Sequence, residues 1–584
     1  MIGGFALLGL VVVGLGAVFT HQALQAKRQL NLASAQASEL RTQISVGDVE
    51  AARTTLRELQ TSTASARSAT EGMLWDVVGR LPVVGGSAQA AQTVSQVLAE
   101  LAGTGLQPIV DAAGSLDSRA FSPRDGRVDI AAIQRLTPAL VTADRTLTSG
   151  RDRLASVRTA DVIGPLREPL EELKSKIAVA QSGTSAGVTA AEVMPRMLGA
   201  DGPRSYLLVV QNNAEVRSTG GLPGAFAVVQ AADGRIRLTA QGAGSDFGSF
   251  DEPVVPLTKD ELGLYTRLMG MYWSDANFTP DFPRTGQILR AMYDKKFGDD
   301  VDGVISVDPV ALSYLLKATG PIELAKGSRP VRWLTSRNVV PALLNQVYLA
   351  LPDDNDAQDA FFAAAAARVF RAVASGSRDP QAMVRQMTKA ASEDRLLVWS
   401  AHDDEQDVLA GTRVAGDLPG DSGTTPHVGV YLNDSTATKL EYYLQHRSTM
   451  HAQSCTGDDV QTIEATTVLT SSAPRRGAGL PRSILGPSRG ARHGAMRFNV
   501  RIYAPHGGEI DEVSVDDDLQ TVLSGTHRGR DVTIVPVRLS PGHTVTIRTV
   551  ILTGKDQADD PVLSFTPTVE RAPNSVPVAS ACGR

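Results

Sequence analysis

From Ile2 to Phe19 the chain carries only Gly, Ala, Leu, Val, Ile and Phe, with no ionisable side chain. That is close to the roughly 20 apolar residues a helix needs to cross a hydrocarbon core about 30 Å thick. A cleaved signal peptide would have an apolar stretch of about 7–15 residues ending in a small-residue A-x-A site. Here the stretch instead runs into His21-Gln22-Ala23-Leu24. The pattern therefore predicts a transmembrane anchor over 1–21. Residues 22–62 then alternate apolar and polar at helical spacing through Leu24, Leu30, Leu32, Leu40 and Ile44, which predicts a helix leaving the membrane. The stretch WDVVGRLPVVGG (75–86) interrupts that rhythm with Pro82 and a glycine pair. Helical spacing resumes over 87–116 (Val94, Val97, Leu98, Leu101) and about 128–182 (Ile133, Leu136, Leu140). Together these predict a helical stalk or small bundle over 22–185, with Ser182-Gly183-Thr184-Ser185-Ala186-Gly187 as its closing linker. Apolar stripes of this kind are core far more often than cofactor boxes, and no chemistry is assigned to them.

Near residue 196 the texture changes. Tyr206 to Gln211 (YLLVVQ) and Ala225 to Gln230 are apolar runs expected of buried strands, and Asp233-Gly234 predicts a hairpin into the alternating Arg235-Ile236-Arg237-Leu238. Helices follow at about 259–272 and 283–297, then a strand Val304-Ile305-Ser306-Val307. Asp308-Pro309, a cap followed by proline at the first helical position, opens the next helix, and Gly320-Pro321 closes it. Helices at about 334–350 and 356–375 and a strand at 395–399 complete a layered α/β domain over 196–420. Beyond Gly423 short β runs (Val428–Leu432, Glu464–Leu469, Arg497–Tyr503, Val532–Val537, Thr544–Leu552) alternate with Gly, Pro and Asp, which predicts a β-sandwich over 425–584.

At 584 residues the chain is too long for one core, and 42% hydrophobic with 21% charged residues places it in the globular range. A net charge of -6 argues against a nucleic-acid surface, which needs a concentrated basic face. Lys27 and Arg28 follow the apolar stretch and no Lys or Arg precedes it, so the positive-inside rule alone would place the long C-terminal part in the cytoplasm. Three considerations point the other way: a start that has lost a basic leader would leave the same asymmetry, large domains translocate largely regardless of charge, and the cysteines fit an oxidising compartment. Cys455 and Cys582 are the two cysteines, placed so that a disulfide would staple the C-terminal tail to its own domain; two unrelated buried thiols are the alternative. The expected location is the cell membrane, single-pass, with the bulk extracytoplasmic.

The stretch QNNAEVRSTGGLPGAFAVV (211–229), with LPVVGG before it and GVYLNDSTATKLEYYL (429–444) after it, resembles the membrane-protein family catalogued as domain of unknown function 4012 over most of residues 70–450. That resemblance implies location and architecture and no reaction. A more distant resemblance carries chemistry. The order of elements, and above all VDGVISVDPVALSYLLKATGPI (301–322), is similar to the LytR-CpsA-Psr family of phosphotransferases, which move glycopolymers from a polyprenyl-pyrophosphate carrier to the cell wall. Arg217-Ser218-Thr219 falls where that family carries Arg-Ser-Asp-Thr, and Ser245-Asp246 falls near its Ser-x-Pro-Arg-Asp motif. The resemblance makes Arg217 and Asp246 the catalytic candidates, with Mg²⁺ as the cofactor if the chain is catalytic. Asn212, Asn213, Gly220, Gly221, Asp302 and Asp308 are the binding candidates. Phosphoanhydride cleavage needs positive charge on the phosphate oxygens and a carboxylate to hold the metal or take a proton. This chain departs from the family pattern there: the acid of the first motif and the arginine of the second are absent. The segment NQVYLALPDDNDAQDAFF (345–362), where the family brings arginine pairs, contains none.

Each candidate also has a structural reading. Arg217 can brace the 212–224 loop, Asp302 and Asp308 are turn and helix-cap residues, and Asp353, Asp354, Asp356 and Asp359 form a solvated acidic loop. His402-Asp403-Asp404-Glu405 opens a helix with acids at its positive end. A calcium loop beginning at Gly298 fails because Pro309 stands where its bidentate Glu belongs. Three functions remain open: an envelope protein binding a polyprenyl-linked glycopolymer or an envelope partner, a phosphotransferase of the second family's type, and a non-enzymatic adhesion or assembly module. The phosphotransferase requires Arg217 and Asp246 to converge on one pocket, whereas a binding protein has dispersed charges and a filled core.

Overall fold

The computed structural model describes residues 2–46, 48–115, 123, 126–325, 327–376, 379–487, 493–570 and 575–582, with the side chains of all but 2–14, 45–46, 113–115 and 575–576. The chain divides into two compact units, Met1–Phe121 with Asp129–Arg196, and Ser122–Val128 with Met197–Gly583.

The first unit is helical. Helix α1 (Ile2–Val46) buries Ala26, Ala33 and Leu40, seven residues apart, so one narrow face is repeated along it. Ala33 and Leu40 share a core with Ala52, Leu56 and Leu59 of α2 (Val49–Thr70). The single helix expected over 22–62 is thus two, because Asp48 caps α2 by accepting from the Ala51 N–H (3.1 Å). Among the described residues no helix is long and apolar enough to cross a membrane. The side chains of 2–14, most of the expected anchor, lie outside the description. After α2 come α3 (Met73–Val78), α4 (Gly85–Glu100), a π-helical turn at 101–105 and α5 (Leu106–Ser115). Helices α6 (Ile130–Ala155) and α7 (Gly164–Met197) finish the unit around Val97, Leu101, Leu147, Leu154, Val162 and Ile177. The linker expected at 182–187 is helical, inside α7. Its small residues serve contact with α6: Thr184 and Ser185 donate to Asp144 Oδ1 at 3.0 and 2.8 Å, and Gly187 lies against Leu140.

The second unit is mixed α/β. A five-stranded sheet has the order β3 (Arg235–Ala243), β2 (Leu222–Ala232), β1 (Arg204–Asn212), β4 (Gly303–Val307) and the strand Leu396–Ser400. Only β1 and β4 are parallel within it. The β2–β3 hairpin turns at Asp233 and Gly234, both at positive φ (48° and 75°), which matches the right-handed twist of the strands. Leu207, Val209 and Val304 pack on Ile288, Leu289 and Met292 of the helix Phe282–Phe297. The helix expected over 259–272 is two short ones, Lys259–Tyr265 and Leu268–Met271, divided where Thr266 takes φ 62°. The stretch 334–350 is likewise a succession of short helical turns between 339 and 350.

Two further sheets follow. One has the order Asp518–Leu519, Glu509–Val515, Thr544–Leu552, Gln461–Ser471, Leu444–Cys455. The other has the order Leu523–His527, Arg530–Leu539, Met496–His506, His427–Asp434, Val562–Phe565, Ser575–Pro577. Ile463, Leu469 and Ile551 of the first share one core with Leu432, Phe498 and Val535 of the second, and the same core takes in Val310, Tyr314 and Val347. That shared core places the α/β sheet and both later sheets in a single unit. Cys455 and Cys582 are disulfide-bonded with Cα atoms 4.9 Å apart, which ties the C-terminal segment to the end of strand Leu444–Cys455.

Candidate functional site

Because β1 and β4 run parallel, from Tyr206 beside Gly303 to Val210 beside Val307, they define two ends of the sheet. The sequence candidates fall at both. Asn212 ends β1; Asn213, Arg217, Gly220, Gly221 and Asp308 follow the carboxyl ends of the two strands, and Asp302 precedes β4 at the amino end.

At the carboxyl end residues 213–221 are all buried. A Cβ on Gly221 would stand 2.2 Å from the Asn212 carbonyl group, so only glycine fits, and Gly220 takes φ 135°. Gly221 N–H donates to Gln211 Oε1 (2.7 Å), whose amide donates to Ser306 Oγ (2.6 Å). Asn212 closes a local turn, with Oδ1 accepting from Ala214 N–H (3.1 Å) and Nδ2 donating to Glu215 (3.0 Å). Arg217 is 5% exposed. Its guanidinium donates to the carbonyls of Ser274 (3.1 Å) and Val216 (2.9 Å), pairs with Asp275 (3.6 Å) and stacks 5.1 Å from the Phe278 ring centre. Burial raises the pKa of both Asp275 and Asp434, and Arg217 opposes the rise in each.

Asp308 caps the helix Pro309–Thr319 through Ala311 N–H (2.7 Å) and also lies in a buried ion cluster. Its Oδ2 accepts from Arg395 (2.6 Å) and Asn213 (3.1 Å). Arg395 further donates to Glu393 (3.1 Å) and to the carbonyls of Thr568 (2.9 Å) and Glu570 (2.5 Å). In open α/β sheets ligands bind outside the carboxyl ends of the strands, where strand order reverses. Here that place is filled by the chain's own later strands. Asp434 N–H donates to Val216 O (3.0 Å), Thr566 Oγ1 to Ser218 O (3.2 Å) and Asn213 Nδ2 to Pro567 O (3.2 Å).

Asp246 is elsewhere and exposed, accepting from Ala243 N–H (2.9 Å) at the start of a short turn. No hydrogen bond or ion pair joins it to Arg217. Burial raises the pKa of Asp359, and Asp246 and then Asp356 add to the rise. Among the described residues, the set of three whose ligand atoms lie close enough to share a metal ion is Cys455, Asp459 and Cys582, and its two sulfurs are joined in the disulfide.

At the amino end Asp302, Arg204 and His402 stay partly open to water. Asp302 accepts from Ser205 N–H (2.7 Å) and Arg204 (3.2 Å), and its Oδ1 lies 2.8 Å from His402 Nε2. Arg204 Nη1 is also 2.8 Å from that nitrogen, so the ring proton decides which neighbour His402 serves. Arg204 reaches Glu405 at 3.5 Å, and Glu405, 1% exposed, accepts from Ser400 Oγ (2.6 Å). The helix Asp403–Leu409 starts with acids as the sequence indicates, but the inward turn of Glu405 had no sequence signal. Sequence reading also passed over Lys439, which pairs with Glu215 (2.9 Å), and Glu441, which is fully buried. Neither carboxyl oxygen of Glu441 has a hydrogen-bond partner among the described residues, and burial, then Asp434, raise its pKa well above the carboxylate range.

Fold and clusters together define a two-unit chain, one unit helical and one mixed α/β, whose loop 211–221 is built into the interior. Residues 201–348 match the model of the family described as protein of unknown function (DUF4012). The match is narrower than the 70–450 span of the sequence resemblance and leaves out the helical unit and residues 429–444. No curated protein and no solved structure matches the chain.

Proposed function

We propose that the chain is a single-pass, membrane-anchored envelope protein whose extracytoplasmic bulk binds a polyprenyl-linked glycopolymer or an envelope partner without transferring phosphate. The observation that carries this reading is the placement of Arg217. A phosphotransferase needs that charge facing a substrate pyrophosphate, and here it is buried against main-chain carbonyls and Asp275, unconnected to Asp246. The apolar run Ile2–Phe19 supports the anchor, and the Cys455–Cys582 disulfide supports an oxidising, extracytoplasmic side. On this reading the central sheet is a LytR-CpsA-Psr-like frame, and the two later sheets are a β-sandwich that closes over the end where a reaction centre would lie.

The test is an assay of the purified full chain with a polyprenyl pyrophosphate and Mg²⁺, run beside Arg217→Ala. Neither protein should release phosphate, and a thermal-shift titration should report lipid binding by the wild type. Phosphate release that Arg217→Ala abolishes would overturn the proposal in favour of the phosphotransferase. Neither release nor binding would leave the adhesion or assembly module.

A further inference from the structure

Within the helical unit, α1 and α2 pack side by side, and α2 returns the chain to the level of residues 19–22. The Trp75 N–H donates to Gln22 Oε1 (3.1 Å), and its ring lies 4.7 Å from that of Phe19, the last residue of the apolar run. Trp75 itself is buried, and it pins the segment 73–84 beside the place where that run ends.

The segment is built to present apolar side chains outward. Gly79 O accepts from Gln89 (2.6 Å), and a Cβ on Gly85 would stand 2.6 Å from that same oxygen. A Cβ on Gly86 would stand 2.3 Å from the Asp161 carbonyl oxygen. The turn is therefore fixed on both sides by close backbone contact. Within it Val83 takes φ 75°, a costly conformation for a β-branched residue, although its side chain packs on almost nothing. Met73 and Val83 are 82% and 84% exposed, and Val77, Leu81 and Val84 are 42–52% exposed. Leu15 and Val18 on α1 are about half exposed as well. Arg80 stands exposed next to Leu81, and Lys27 and Arg28 follow Phe19 by roughly 12 Å along the helix, so basic side chains flank the apolar segment where anionic headgroups attract them.

We infer that residues 73–84 form a second membrane contact, a preformed apolar foot that enters the headgroup–acyl boundary of the bilayer beside the anchor. This rests on the anchored reading above. A single apolar helix leaves its ectodomain free to swivel; a second contact pinned to it through Trp75 fixes the tilt and rotation of the helical unit on the membrane surface.

The test uses the full chain, in which both native cysteines are bonded, so an engineered cysteine is the one free thiol. Val83→Cys and Met73→Cys carry a nitrobenzoxadiazole label, with Val179→Cys as control. Val179 is 71% exposed and lies roughly 20 Å along α7 from its start. The proteins are reconstituted at low protein-to-lipid ratio in phosphatidylethanolamine–phosphatidylglycerol vesicles. The expected result is co-flotation of all three, with blue-shifted emission protected from aqueous iodide at 83 and 73 and quenchable emission at 179. Flotation with 83 and 73 freely quenched would overturn the foot and leave the anchor standing. Failure to float would overturn the anchor and the foot with it. Protection that appears only at high protein density would assign the face to a second copy of the chain and overturn the lipid contact.

Discussion

The two ends of the β1–β4 pair carry similar chemistry in opposite settings. At the carboxyl end Arg395 meets Asp308 with both side chains at most 4% exposed; at the amino end Arg204 meets Asp302 with both more than a fifth exposed. The difference arises from what lies over each end. Segments 428–434 and 565–570 cover the carboxyl end and supply carbonyls to Arg395, Asn213 and Arg217, whereas the amino end is bordered by the short helix Asp403–Leu409. Ion pairs removed from water are fixed parts of the fold, because either charge left alone has no solvent to fall back on. Ion pairs left in water remain exchangeable, and that is the condition for meeting a ligand.

The sharpest way to break this comparison is to remove one partner at the covered end. Arg395→Ala leaves Asp308 without its cation, leaves Glu393 to Lys389, and strands the Thr568 and Glu570 carbonyls. The expected loss is about 3–5 kcal/mol in urea unfolding. The double variant Arg395→Met with Asp308→Asn should lose less, since it leaves no uncompensated charge. A loss below about 1 kcal/mol for Arg395→Ala would show that water reaches this end.

How far the sequence reveals this depends on the range over which each feature is set. The Asp308 cap, the Asp233-Gly234 turn and strands β1 and β2 are local and legible. The helix Pro380–Ser392 is absent from the sequence expectation although Asp379-Pro380 repeats the same cap signal and Met383, Val384, Met387 and Ala390 recur at helical spacing. The strand Leu444–Cys455 was missed because the buried positions that mark its alternation include His446 and Ala452. The fate of Arg217 was beyond local reading: two of its carbonyl acceptors lie 57 and 217 residues away, so the same Arg-Ser-Thr triplet suits a catalytic loop or a buried brace until the later strands are placed. Asp302 and Asp308 stand on either side of one short strand and are equally plausible as ligands in sequence, yet that strand sends them to opposite ends.

A second, smaller effect separates the ends by pH. Asp394, next to Arg395, is pushed up to about 6 by burial, against the pull of Arg413 at 3.6 Å. A carboxyl group whose folded pKa is raised favours the folded state below its unfolded pKa, near 4, and that contribution is lost as pH rises through about 6. Asp394→Asn should therefore be more stable than the wild type at pH 7 and should lose that advantage as pH falls to 4. A quarter of the side chain is open to water, which holds the difference to about 1–2 kcal/mol. Urea unfolding at pH 4 and pH 7 measures it, and a constant difference between the two proteins would rule out the raised pKa.

The smallest effect is expected at the open end. Asp302→Asn keeps an oxygen that can accept from Ser205 N–H and removes only the charge facing Arg204 and His402. Arg204 retains Glu405 at 3.5 Å, and water replaces the lost carboxylate, so the expected cost is under about 1 kcal/mol. The measurement is the same urea titration, with salt as a second variable, because an exposed pair weakens when screened and a buried one does not. A salt-insensitive loss of about 3 kcal/mol or more would mean that the amino-end charges are fixed in the fold as firmly as those at the carboxyl end. Burial alone would then have been the wrong criterion for telling structural charges from available ones in this sheet.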